Sequence, residues 1–225
     1  MHIEPGLVDG SKIALSYATA AAAVTVGGYH IVQTAREKGL ISLALRSVIA
    51  TVGVFIFFEV MPHFAVGVSE VHFILGSTLF LIVGAGPAAL GLAAGLLIQG
   101  LFFAPFDLPQ YGMNLTTLLV PMFAIHALAK TVIAPGTAYV DLTYGQALKL
   151  STAYQGGVVA WVAFWAIYGA GFGAENLASV AAFGAAYMTV VLIEPLADLA
   201  VLAAAKALRG WQGSPAVTPR LYHAA

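Results

Sequence analysis

The sequence predicts an all-α integral membrane protein, a bundle of about seven transmembrane helices with its N-terminus extracytoplasmic and its C-terminus cytoplasmic. Three observations carry that expectation. Hydrophobic residues make up 60% of the chain and charged residues only 8%, against roughly 25% charged in an ordinary soluble domain, and the mean hydropathy is +0.92. Apolar stretches of about 20 residues recur, enough for a helix to cross a hydrocarbon core of roughly 30 Å, and they lack the strict alternation of lipid-facing barrel strands. Lysine and arginine gather on one side of the predicted passes, the bias that sets orientation.

The spans are expected at 12–33, 40–60, 71–84, 87–104, 114–131, 149–170 and 176–197. The first carries the small-residue run Ala18-Thr19-Ala20-Ala21-Ala22-Ala23 and closes at Arg36-Glu37-Lys38-Gly39. The second ends at Met61-Pro62-His63, and the third, short enough to be tilted or partly broken, ends at Gly84-Ala85-Gly86-Pro87. Asp107-Leu108-Pro109 follows the fourth, Pro135-Gly136 the fifth, and Gly171-Phe172-Gly173 divides the last two. Such glycine and proline clusters cannot easily continue a helix. Small residues along these spans suit close helix packing. With the N-terminus outside, Arg36, Lys38, Arg46, Lys130, Lys149, Lys206, Arg209 and Arg220 fall on or near the cytoplasmic side, and only Lys12 dissents.

Composition excludes several functions. The net charge of −1 and the lack of a basic tract give no sign of a nucleic-acid partner. With no cysteine, disulfides and thiolate metal sites are out, so a transition metal would need nitrogen or oxygen ligands. No G-x-x-x-x-G-K-[ST] loop is present, so the chain is not expected to be its own ATPase, and the commonest zinc-protease and serine-hydrolase motifs are missing too. No enzymatic activity and no prosthetic group are expected.

The most specific chemistry lies in Met1-His2-Ile3. A free amine on Met1, the backbone nitrogen of His2 and its imidazole can close two fused chelate rings on one cation. This nitrogen-rich, near-planar donor set suits Ni(II), Cu(II) or Co(II) and not Mg(II) or Ca(II). MHIEPGLVDGSK lacks the basic n-region of a signal peptide, so the start is expected to be kept, with bulky His2 protecting Met1 from removal. The competing reading is a histidine in a frayed tail.

His72 opens the third span on the same side and can supply a fourth nitrogen, or be one of the histidines that interfaces tolerate. Glu59 and His63, four residues apart, share a face if the helix runs that far; they are either a rival ligand pair or an outer acid and histidine that collect cations. Gln99 and Asn114 are polar residues within or at the start of spans, suited to orienting a ligand histidine or to bonding across helices. His126, deep in the fifth span, is a functional candidate on position alone. Glu194 and Asp198, one turn apart around Pro195 with Lys206 and Arg209 beyond, read as an interfacial ion-pair cluster in preference to a coupling surface.

Two blocks resemble the CbiM/NikM family, the substrate-binding membrane (S) components of energy-coupling factor ABC transporters for cobalt and nickel. One is Met1-His2-Ile3 followed by Gly6. The other runs from Val71-His72 through Gly76-Ser77-Thr78, Gly86-Pro87, Leu90-Gly91, Leu96-Leu97-Ile98-Gln99 and Gly112-Met113-Asn114. The resemblance implies that Met1, His2 and His72 hold the metal in a near-square plane, with Gln99 and Asn114 supporting them, and that the substrate is Ni2+ or Co2+. It also implies a transmembrane scaffold (T) subunit, cytoplasmic ATPase subunits and a small accessory membrane protein as partners in a prokaryotic plasma membrane. The chain departs from the family pattern at Ser69-Glu70-Val71-His72-Phe73-Ile74-Leu75-Gly76 and at Pro105-Phe106-Asp107-Leu108-Pro109. The expected organisation is one membrane domain over 1–210, its tip at 1–11 binding metal, and a cytoplasmic tail over 211–225. The rival functions are a stand-alone metal permease and a metal-independent membrane assembly factor.

Overall fold

The computed structural model describes residues 2–223. A continuous helical ribbon, α1 (Ile13–Phe55), opens the bundle and is broken only at Gly39, where φ 80° and ψ 169° leave the helical region. The conformation is open to glycine and strained for any residue with a side chain. Packing against α3 (Ala85–Phe102) shows what the break does. Gly86 lies against His30 and Thr34 while Ala89 meets Gly27, so the first arm of α1 runs antiparallel to α3. Gly91 and Gly95 lie against Ala50 and Val54, so the second arm runs parallel to it. The chain therefore reverses at Gly39. A Cβ on Gly91 would collide with Ala50, so the small-residue stripe is what lets these backbones approach.

The second arm ends in a π turn, Ile56–Val60. Met61 is extended ahead of Pro62, as expected for a residue preceding proline. A short antiparallel hairpin follows, β1 (Phe64–Val66) and β2 (Ser69–Val71). Ile3 bridges Ser69, so the segment after His2 adds an edge to the hairpin.

The span expected at 71–84 is corrected by the structure. Residues 71–75 are strand end and coil, and α2 (Gly76–Val83) has 8 residues, about 12 Å long at 1.5 Å per residue. Its apolar character reflects burial among protein, with seven of its residues buried, all but Ile82, and the helix alone is shorter than a membrane is thick. Gly84, with φ 85°, separates α2 from α3.

α4 (Tyr111–Val132), α5 (Tyr144–Ala170), α6 (Ala174–Met188) and α7 (Glu194–Ala207) complete the bundle. Thr143 caps α5 with a reciprocal Gln146 capping box, satisfying amides that the first helical turn leaves free. The predicted seventh span is two helices joined by the 3-10 turn Thr189–Leu192, with Pro195 at the start of α7, where its missing N–H costs nothing. Lys12, the dissenting basic residue, donates to the Gly169 carbonyl at 2.8 Å, near the end of α5 where the helix dipole favours a cation.

Five helical stretches are long and apolar enough to cross a membrane: Gly10–Val60, Ala85–Phe102, Pro105–Val132, Tyr144–Ala170 and Ala174–Ala207. The chain is a multi-pass, all-α membrane protein. Leu92, Leu96, Met113, Leu118, Met122, Val158 and Trp165 fill the centre, while Leu40, Ile41, Phe102 and Leu192 point outward, the apolar exterior a lipid-facing bundle requires. Residues near the C-terminal end return onto the bundle: Thr218 donates to the Ile82 carbonyl at 2.8 Å, and Leu221 is fully buried.

Candidate metal site

At the hairpin end of the bundle, main-chain bonds fix the segment that carries His2. The His2 carbonyl accepts from the Glu70 amide at 3.2 Å and from the Ser69 hydroxyl at 2.8 Å. The Ile3 amide donates to Asn114 Oδ1 at 3.0 Å, and the Glu4 amide to the Val68 carbonyl at 3.2 Å. Ile3 and Val8 are buried, and Leu7 packs so closely on Gly169 that a Cβ there would strike its carbonyl. This is a docked element and not a frayed tail. Met1, the expected source of the amine, lies outside the described residues.

The His2 ring is 4% exposed. Its Nε2 lies 2.7 Å from Gln99 Oε1. The Gln99 amide nitrogen in turn donates to the Phe58 carbonyl at 3.4 Å and to Glu59 Oε2 at 3.2 Å. Those two acceptors fix which way the amide faces, so the oxygen is presented to His2 and the proton belongs on His2 Nε2. Nδ1 then keeps its lone pair. It lies 2.8 Å from Asp107 Oδ2 without hydrogen-bond geometry, and Nδ1 and Asp107 Oδ1 have no hydrogen-bond partner among the described residues. The buried Nδ1 and the Asp107 carboxylate thus meet at ion-pair distance, an arrangement that a shared cation would satisfy.

His72 lies where β2 gives way to the coil before α2. Its ring centroid is 6.5 Å from that of His2, and both rings meet the Phe58 side chain. His72 Nδ1 sits 3.1 Å from the Phe73 carbonyl, which makes it the N–H side and leaves Nε2 as the lone-pair nitrogen. That Nε2 is buried with no partner among the described residues. Two buried imidazoles with unused lone pairs, sharing one aromatic wall, form the centre of the site.

The electrostatic setting is acidic. Glu4 is pushed above the usual carboxylate range by burial and then by the neighbouring Glu70 and Asp107 carboxylates. The same crowding of negative charge attracts a cation. Among the described residues, no three His, Asp or Glu side chains converge as a metal cluster.

The structure brings together His2, His72, Gln99 and Asn114, with Glu59 one bond further out through Gln99. His63 stands apart: the helix ends at Val60, and the exposed His63 ring approaches only the Met61 carbonyl, at 3.3 Å. The helical Glu59 and His63 pair is therefore not formed, because Pro62 interrupts the face that would align them. Asp107 was missed in the sequence. It sits in the 3-10 turn Pro105–Gln110 and is 5% exposed; a carboxylate between two prolines on the same side as His2 was the available signal.

Glu194 and Asp198 are also corrected. Both are fully buried, and Lys206 pairs instead with Asp141 at 2.6 Å. Asp198 accepts from Thr78 and, at 2.9 Å, from Ser77. Glu194 accepts from Gln155 and, at 3.0 Å, from the amide of Leu75, whose φ of 50° is the one positive value on a non-glycine among the described residues. The carboxylates thus hold the turn that follows His72. His126 lies far from this site, packed against His30 with ring centroids 4.6 Å apart.

No curated protein and no solved structure matches the chain. A family model does, over residues 2–210, and it covers the docked His2 segment, His72, Gln99, Asp107 and Asn114 alike. The chain belongs to the cobalt uptake substrate-specific transmembrane region (CbiM) family.

Proposed function

We propose that this chain is the substrate-capture subunit of an energy-coupling factor importer for Ni2+ or Co2+. The ion is held by the Met1 amine, the His2 main-chain nitrogen and Nδ1, and His72 Nε2. The observation that carries this reading is the buried His2 ring, held through Nε2 by Gln99 with Nδ1 left beside the Asp107 carboxylate. Once the His2 backbone nitrogen is bound, the ring that closes on the imaginable metal position is six-membered through Nδ1, and Nε2 points away; the Glu59, Gln99 and His2 chain leaves Nδ1 the lone-pair nitrogen. Partners that fix a ligand histidine's orientation in this way are typical of metal sites. Two imidazoles bound side by side at roughly 2 Å have centroids closer than the 6.5 Å found here, so capture draws His72 toward His2.

The chain crosses the membrane seven times, with α2 and its preceding coil as the short crossing, the His2 end outside and the C-terminal end in the cytoplasm. Lacking a nucleotide loop, it takes energy from a transmembrane scaffold subunit and cytoplasmic ATPase subunits, with a small accessory membrane subunit beside it. The test is nickel and cobalt binding by the purified chain, and uptake by vesicles holding it with or without those partners. His72→Ala should bind at least tenfold more weakly, and accumulation should require the ATPase. Unchanged binding in His72→Ala would remove the site, and uptake by the chain alone would make it a stand-alone permease.

A further inference from the structure

A cavity of about 650 Å³ lies at the opposite end of the bundle from His2. Its walls come from the end of the first α1 arm, the second arm at Arg46, the α2 and α3 junction at Gly84, the end of α4 and the returning chain at Thr218 to His223. Its fixed charges are Arg46, Lys130 and Arg220 against a single carboxylate, Glu37. A cavity with three cations and one anion repels a divalent metal and attracts an anion.

Arg46 is 2% exposed. Its Nη1 donates to the Val83 carbonyl at 2.9 Å and its Nε approaches the Ser42 carbonyl at 3.4 Å, which locks the guanidinium at the cavity wall. Its Nη2 has no partner among the described residues, nor does Arg220 Nε. Arg220 is steadied over the Tyr139 ring at 5.6 Å. Burying guanidinium donors without acceptors is costly, and a guanidinium's fork of donors matches the oxygens of a phosphate. Thr218 and His223 add further donors at the rim.

We infer that this cavity is a phosphate-binding site, taking a tetrahedral oxyanion on Arg46, Arg220 and Lys130. The chemistry is shared by inorganic phosphate and by the phosphate of an anionic lipid headgroup. The volume exceeds what a bare phosphate fills and falls in the usual range for ligand pockets, roughly 300–1,000 Å³. The site spans both α1 arms, the α2 and α3 junction, α4 and the C-terminal return, so an occupant would bridge all of these elements. The inference does not depend on the metal reading.

The test uses the full chain in nanodiscs of phosphatidylcholine alone or with phosphatidylglycerol, and in detergent with inorganic phosphate or with chloride at matched ionic strength. Thermal unfolding midpoint and lipid retention by native mass spectrometry are the readouts. Stabilisation by phosphatidylglycerol and not by free phosphate assigns a lipid headgroup; stabilisation by phosphate in detergent assigns the free ion. In either case Arg220→Gln and Lys130→Gln, both at positions less buried than Arg46, should each weaken half-saturation by about tenfold and Arg46→Gln by more. Should Arg46→Gln fail to fold, the first two variants still decide. No stabilisation by either phosphate source, or equal stabilisation of wild type and both variants, would overturn the inference, as would stabilisation by a carboxylate such as glutamate in preference to phosphate.

Discussion

Replacing Gln99 by leucine removes the link between His2 and Glu59 and puts an apolar side chain of similar bulk in its place. In the wild type, Gln99 Oε1 holds His2 Nε2 at 2.7 Å, and the two residues are 5% and 4% exposed. Without that acceptor the imidazole loses both its fixed orientation and the preference for a proton on Nε2, so part of the population presents a protonated Nδ1 to the metal. Losing an orienting partner of this kind typically costs 10- to 100-fold in metal affinity, about 1.4–2.8 kcal/mol at 1.4 kcal/mol per decade. The assay is competition for Ni2+ against a chromophoric chelator with purified protein at constant pH. Glu59→Gln keeps an acceptor for the Gln99 amide and should lose less than about tenfold. Affinity of Gln99→Leu within twofold of wild type would refute the reasoning, because the tautomer would then not depend on this bond.

Three further outcomes follow from the same geometry. Asn114→Ala strands the buried Ile3 amide, a loss of about 1–3 kcal/mol, so hydrogen exchange at Ile3 should accelerate roughly 5- to 150-fold, and an unchanged rate would show that Asn114 does not pin the segment. Asp198→Ala removes the acceptor shared by Ser77 and Thr78, for which bonds to a charged group contribute about 1.5–3 kcal/mol each; the unfolding midpoint should fall and Asp198→Asn should recover part of it, whereas equal midpoints would contradict the bracing role. Metal binding needs neutral imidazole and amine, so calorimetric affinity should fall as pH drops from about 8 to 5, the range in which such groups ordinarily titrate; a flat profile would count against the nitrogen ligand set.

The membrane class, the Gly39 reversal and the breaks at Pro62, Gly84, Pro135 and Gly171 were legible because hydropathy and backbone restriction are local properties. The 71–84 span was not. Val71-His72-Phe73-Ile74-Leu75 is apolar enough for a membrane helix, but a strand end, an imidazole and a left-handed residue use it as buried loop, and hydropathy cannot separate burial in protein from burial in lipid. His2 and His72 could be placed on one side from topology alone, and Gln99 and Asn114 from their polarity within apolar spans. Asp107 and the paired role of Glu194 and Asp198 depended on contacts such as Ser77 to Asp198, 121 residues apart, which spacing does not encode. Lys206 and Arg209 following Asp198 made an ion-pair cluster the natural local reading, and only the fold shows the carboxylates turned inward.

In the proposed site the Met1 amine is itself a metal ligand. Adding a single glycine ahead of Met1 moves that amine and keeps every side chain in place. Nickel or cobalt affinity should then fall by two orders of magnitude or more, about 2.8 kcal/mol or greater, with the unfolding midpoint of the metal-free protein unchanged. Equal affinity in the extended and original chains would contradict the claim.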